Sequence, residues 1–363
     1  MTNSTTSTSS DDLPDDFFSR RIGIELVWVH LQPFLLARGY KLRSRYDPDW
    51  RPSWGDKKLS IHQADKYEDS LLGPPNYIID ATRISDGKKV VIKRVETATQ
   101  EIPIASFLNS PHIRADPRNH TVEVLDILPI PGDDDHAIMV MPMLYFFEAL
   151  PFRRVGEVEE ALVQFVEALE FLHDHNISHN DICYNNLMMD PSRVIPKGFH
   201  FAKTHTHNGV NQSFSWRERW DVRPVSYFII DFGISSIWPS KNDAVVKGKC
   251  GQDQSAPEFL HARPFNLFKL DIYHLGNVIK GLIKACFHNY QGLEIFEDLA
   301  RSMTLVNPDE RPAASEALVM LRNASSHLDM QDRKRRIWRN DGLYQLTSFE
   351  RFLIRTFRYN PIF

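Results

Sequence analysis

The sequence predicts an α+β protein of two lobes, a small antiparallel-sheet lobe followed by a larger, mainly helical one. Three observations predict it. Between Ser70 and Met141, short β-branched and alternating runs are separated by turn residues. From Val158 onward, apolar residues recur at helical spacing. The chain has 363 residues, 42% of them hydrophobic and 25% charged, which is ordinary globular composition with material for two lobes.

In chain order, residues 1–16 are almost all Ser, Thr, Asn and Asp and read as a disordered tail. Residues 17–65 form an extension. Its first part, Phe17 to Arg38, has helical apolar spacing, with Pro33 placing a kink or break and Gly39 a C-cap. Its second part alternates aromatics with arginines and prolines, as in Trp50-Arg51-Pro52-Ser53-Trp54. Stacking on nucleic-acid bases is conceivable there. Packing along the protein body is the preferred reading, because the net charge is −4.

Residues 66–144 read as the small lobe. Ser70–Gly73, Tyr77–Arg83 and Lys88–Val95 are expected strands, the last two joined by a Ser85-Asp86-Gly87 turn. Glu101 to Leu108 is a short helix that tolerates Pro103 in its first turn. Thr121–Leu125 and Ala137–Met141 complete five strands, and Met141-Pro142-Met143-Leu144 connects the lobes. Residues 145–324 read as the large lobe, opened by an amphipathic helix from Val158 to His175. A polar and aromatic insertion at about 191–225 carries His200, His205 and His207. It reads as a loop over one face rather than a metal site, since it lacks acidic or cysteine companions at ligand spacing. Residues 325–363 are a tail whose Arg333-Lys334-Arg335-Arg336 is a nuclear-import or phosphate patch or, preferably, a solvated helix face.

Several function classes are disfavoured. No basic footprint argues for nucleic acid, and no apolar run approaches a membrane span. The N-terminus shows no signal-peptide core. Cys183, Cys250 and Cys286 are distant and odd in number, so they read as reduced thiols in a cytosolic setting.

The chemistry gathers in His179-Asn180-Asp181-Ile182-Cys183-Tyr184-Asn185-Asn186-Leu187, a polar loop between two apolar runs. Asp181 can accept a proton from a hydroxyl nucleophile, and Asn186 can hold a divalent ion through its amide oxygen. Lys93 stands in the run Val90-Val91-Ile92-Lys93, where a buried ammonium needs an anionic partner; an edge lysine facing solvent is the bland alternative. Asp231-Phe232-Gly233 follows an apolar strand, which suits a metal ligand at a cleft.

Lys93, Glu101, the Asp181/Asn186 loop, Asp231-Phe232-Gly233, Ala256-Pro257-Glu258, Asp271 and Arg311 occur in the order found in protein kinases. From about Lys66 to Ala324 the chain resembles a eukaryotic-type protein kinase domain. Gly39-Tyr40-Lys41-Leu42-Arg43, Trp50 to Trp54, the insertion and Gly251-Gln252-Asp253 further resemble the kinase-like group expanded in mushroom-forming fungi.

The resemblance implies a two-lobed kinase fold with ATP and Mg2+ as cofactors and proteins bearing Ser or Thr as substrates. Lys93, held by Glu101, would orient the α and β phosphates. Asp231 and Asn186 would hold magnesium, and Asp181 would accept the hydroxyl proton. Met141, Pro142 and Leu144 would face adenine, with Pro142 offering its carbonyl. A glycine-rich lid would fall on Leu71, Gly73, Asn76 and Ile78, of which only Gly73 keeps the glycine. Arg311 would pair with Glu258.

Two departures stand out. Asn180 replaces the arginine that would bind an activation-segment phosphate, and Cys183 replaces a lysine two residues after the aspartate. They leave two alternatives beside an active Ser/Thr kinase. One is a pseudokinase serving as a binding or scaffold module; the other is a kinase of small molecules.

Overall fold

The structure, a computed structural model, describes residues 17–73, 77–260, 263–284 and 289–340. The acidic tail at 1–16, the lid residues Pro74, Pro75 and Asn76, and Cys286 lie outside the described residues. No helix among the described residues is long and apolar enough to cross a membrane.

The small lobe is built on an antiparallel sheet of five strands: β1 (Tyr40–Leu42), β2 (Ile78–Arg83), β3 (Lys89–Glu96), β4 (Asp126–Ile130) and β5 (Asp133–Pro142). Their spatial order is β1-β2-β3-β5-β4. Helix α1 (Leu26–Ala37) continues through Pro33 and is closed by Gly39 at φ +88°. Trp28, Val29 and Leu35 from α1 pack on Ile79, Ala81, Val90, Ile92, Ile138 and Val140 from one face of the sheet. That apolar burial welds the N-terminal extension to the lobe.

Two strand expectations need correction. Ser70–Gly73 is not a strand: Ser70 ends a 3-10 turn, and its hydroxyl donates to the Ala64 and Tyr67 carbonyls. The first strand is instead β1, whose Tyr40 and Leu42 are buried on either side of exposed Lys41 and which pairs Tyr40 with Arg83. Thr121–Leu125 is not a strand either. The Arg114 guanidinium donates to the Thr121 carbonyl at 2.7 Å, and Asn109 Oδ1 accepts from the Val124 N–H at 2.9 Å. Those groups are thereby withdrawn from a ladder: Thr121 makes only an isolated bridge to Ile229, and the first bond to β5 runs from the Leu125 N–H to the Val140 carbonyl, just before β4.

The aromatic and arginine-rich segment packs inward. Arg45 has no exposure; it pairs with Glu25 at 2.6 Å and donates to the carbonyls of Phe18, Arg20 and Asp69. Arg43 pairs with Asp80 at 3.0 Å, and the Trp50 indole donates to Asp69. These arginines are spent on internal carboxylates and carbonyls, not offered as a basic strip.

The small lobe also carries α2 (Glu101–Leu108); past the connection at Met141 to Leu144, the large lobe opens with the central helix α3 (Val155–Asp174). The buried face of α3 includes Val158, Ala161, Leu162, Phe165, Ala168, Leu169 and Leu172, the stripe its spacing predicts. Helices α4 (Leu267–Lys284) and α5 (Ala314–Ser326) pack beside it. Although Arg333-Lys334-Arg335-Arg336 looks like a free basic run, it is largely tied down. Arg333 grips Glu159 of α3 at 2.7 and 2.8 Å, and Arg336 pairs with Glu218 at 2.7 Å.

Arg311 and Glu258 form a bidentate pair at 2.7 and 2.6 Å, with the guanidinium 4.5 Å over the Tyr273 ring. Both are buried, so removing one partner strands a charge. Arg311→Met should lower unfolding stability by about 3–5 kcal/mol, read by urea denaturation; a loss within the error of such a measurement would show the pair to be dispensable.

Candidate active site

The site forms where four segments end in one cleft. Lys93 sits on β3, opposite Met139 of β5. Its ammonium is 2.5 Å from Glu101 at the start of α2 and 2.8 Å from Asp231. Asp231 leaves strand Tyr227–Ile229 at φ +66°, a left-handed conformation that an aspartate tolerates better than most residues. Burial disfavours the Lys93 ammonium, yet Asp231 and Glu101 outweigh it and raise the lysine pKa. Burial likewise opposes the Asp231 carboxylate, and Lys93 overcomes that to keep its pKa low. At Glu101 burial wins, and the carboxyl is pushed up. Lys93 therefore stays charged between two carboxyls, of which Asp231 is the better anion.

The catalytic-type loop hangs from α4. Asp271, fully buried, accepts the backbone N–H of His179 at 2.8 Å and of Asn180 at 2.7 Å, while its Oδ2 lies 3.1 Å from His173 Nε2. Burial opposes this carboxylate, but the His173 hydrogen bond lowers its pKa below the usual value. Asn180 takes φ +70°, and its amide donates to the Ile234 carbonyl. His179 Nε2 meets the Ile230 carbonyl at 2.9 Å, linking the loop to the segment that carries Asp231. Asn186 Nδ2 donates to both the carbonyl and the carboxylate of Asp181, at 2.9 and 3.0 Å. Its amide oxygen is thus the atom turned away from Asp181.

A cavity of about 490 Å³ lies between the lobes. Ile78, Val91, Met141, Pro142 and Leu144 supply its apolar side, and Lys93, Glu101, Asn186 and Asp231 its polar end. Gly73 lies outside this lining. Its N–H faces Glu25 at 3.4 Å, and a Cβ there would sit 2.1 Å from the Tyr46 hydroxyl, so its glycine serves packing on the extension. Asn76 is outside the described residues.

Two contributions were not visible in the sequence. The insertion reaches the cavity with Phe199, Phe201 and Thr204. Phe199 meets Tyr145 edge-on with centroids 4.6 Å apart, His205 lies 3.2 Å from the Tyr145 hydroxyl, and His200 pairs with Glu68 of the small lobe at 3.1 Å. Those aromatics carry no periodicity that could have pointed to the cleft. The second is Gln252, which touches Asp181 directly. Its Gly-Gln-Asp setting was conspicuous, but only the fold shows what it reaches.

A family model described as the protein kinase domain matches residues 76–333. The chain belongs to the protein kinase domain family. Among curated proteins it is similar to the serine/threonine-protein kinase atg1 of Aspergillus oryzae, 27% identical over 183 residues, 47% of this chain and 19% of that protein. The atg1 kinase of Neosartorya fischeri is also 27% identical, over 171 residues, 46% of this chain and 17% of the relative. The serine/threonine-protein kinase Nek3 of Oryza sativa is 28% identical over 160 residues, 43% of this chain and 25% of the relative. The matched segments therefore span a quarter or less of these relatives. The two lobes, the sheet and the helices are those of a kinase domain, and the chain is a protein kinase by family.

Cys183 gives this kinase site a neutral thiol beside Asp181. Burial, then the Asp181 charge, push its pKa up to about 11. Below that pH the reactive thiolate is the minor form. Alkylation of Cys183 by iodoacetamide, followed by peptide mass spectrometry, should be slow at pH 7–8 and accelerate as pH approaches 11. Rapid labelling at pH 7 would contradict the environment described.

Proposed function

We propose that this kinase domain transfers the γ-phosphoryl group of ATP to Ser or Thr hydroxyls of protein substrates. The observation that carries the reading is the meeting of Lys93, Glu101, Asp231 and Asn186 at one cleft, with Asp181 hydrogen-bonded to Asn186 beside it. Similarity to serine/threonine-protein kinases supports the acceptor class. The donor set fits magnesium, a hard cation that favours oxygen ligands: the Asp231 carboxylate lines the cavity, and so does Asn186. Bound magnesium would offset the charge of the phosphates. Lys93 would orient the phosphates, with Glu101 preventing it from swinging away. Asp181 would accept the hydroxyl proton, held by Asn186 and by the loop suspended from Asp271. Met141, Pro142 and Leu144 would enclose the adenine. Positioning and charge complementarity would account for most of the rate.

A binding-module reading draws on Gly73, whose N–H is engaged with Glu25, and on Cys183, which brings no cation to Asp181. Purified protein with labelled Mg-ATP and a Ser/Thr peptide mixture separates the two. Transfer is expected, with Asp181→Asn lowering it by about a hundredfold or more and leaving nucleotide affinity within about twofold. Nucleotide binding without transfer to any peptide would favour the binding module. Transfer confined to metabolites would point instead to a small-molecule kinase.

Asn180 is committed to the Ile234 carbonyl and offers no guanidinium to an activation-segment phosphate. Phosphatase treatment of the active protein should therefore leave its rate unchanged. A drop in rate that tracks loss of phosphate from Ser235, Ser236, Ser240 or Ser255 would contradict this.

A further inference from the structure

Gly251-Gln252-Asp253 lies against the catalytic-type loop. The Gln252 backbone N–H donates to Asp181 Oδ1 at 2.6 Å, and its side-chain Nε2 donates to Asp181 Oδ2 at 2.9 Å. Asn186 Nδ2 takes a second direction on Oδ2 at 3.0 Å. A carboxylate offers about four lone-pair directions. Three are occupied, and the remaining one is on Oδ1.

The contact is built from every side. Asn185 Nδ2 donates to Gln252 Oε1 at 2.8 Å, which turns the Gln252 NH₂ toward Asp181. Gly251 takes φ +74°, and a Cβ there would lie 2.5 Å from the Asn180 carbonyl and 3.0 Å from Asp181 Oδ1. Only glycine lets the segment approach this closely. Asp253 accepts from Asn277 of α4 at 2.8 Å. The segment is thus anchored on the same helix whose Asp271 suspends the loop. Among the described residues Asp181 forms no ion pair with a lysine or arginine, so amide N–H groups alone steady its charge.

We propose that Gln252 is a positioning residue for phosphoryl transfer, holding the Asp181 carboxylate so that a single acceptor direction on Oδ1 meets the substrate hydroxyl. The inference rests on the kinase reading above. In the step it serves, the hydroxyl proton passes to Oδ1 as the hydroxyl oxygen bonds the γ-phosphorus. The bridging P–O bond breaks, and its electron pair leaves with ADP. A neutral amide does this where Cys183 brings no cation.

The test compares wild type, Gln252→Ala and Gln252→Glu in Mg-ATP-dependent transfer to a Ser/Thr peptide mixture, with kcat, KM for ATP and thermal midpoint. Gln252→Ala keeps the backbone donor and loses the amide. Its kcat should fall about ten- to a hundredfold, the cost of one hydrogen bond to a charged group. KM for ATP and the thermal midpoint should stay close to wild type. Gln252→Glu should lower kcat further, because it sets an acceptor where the Asp181 carboxylate needs a donor. A kcat that is unchanged, that falls only in step with thermal stability, or that falls together with a rise in KM for ATP overturns the positioning role while leaving the kinase reading intact. Absence of transfer by the wild-type protein overturns the kinase reading, and this role with it.

Discussion

The Lys93 ammonium between Glu101 and Asp231 is the constraint on which the site depends. A lysine buried in a β-strand is costly unless anions meet it. Here one anion comes from α2 and the other from the exit of a large-lobe strand. The triad therefore joins the two lobes through a group that neither could bury alone. It also fixes the geometry of the cleft: with Lys93 satisfied by Asp231, the cavity has its polar end at these charged groups and its apolar side at the Met141 connection.

A second scaffold lies beneath the first. Asp271 on α4 receives two backbone N–H groups of the loop and sits beside His173 of α3. The loop inherits the rigidity of the two central helices of the large lobe. Gln252 approaches from the segment anchored to α4 through Asp253. Asp181 is in this way held by groups that trace back to one helix, which gives its carboxylate a fixed direction.

Outside these shared features the chain adds its own walls. The extension at 17–65 packs α1 and β1 on the small-lobe sheet and occupies Gly73, where kinases commonly keep a mobile glycine-rich lid. The insertion runs from the large lobe across to Glu68 and Asp65, through His200 and Lys203, and contributes Phe199 and Phe201 to the cavity. The cleft is consequently bounded on one side by the insertion, a segment that has no role in the motif pattern.

Lys93, Asp231 and the Asp181–Asn186 loop could be read in the sequence because each is a local contradiction: a charge in an apolar run, or a polar loop between apolar segments. Helix α2 and the buried stripe of α3 were legible because their spacing repeats within one element. β1 and β4 were not, since three to five residues of alternating character become a strand only when a partner edge is free. Arg114 and Asn109 take up the Thr121 carbonyl and the Val124 N–H that a longer strand would need. The sequence by itself thus determined which charged side chains stand in apolar runs and which helix face is buried, because both are set by neighbours within one element. What the tertiary structure alone decided is the company they keep: Gln252 on Asp181, Phe199 at the cleft and Glu25 at Gly73 are contacts between segments far apart in the chain. Such contacts depend on how whole elements pack, and no local pattern of residues encodes them.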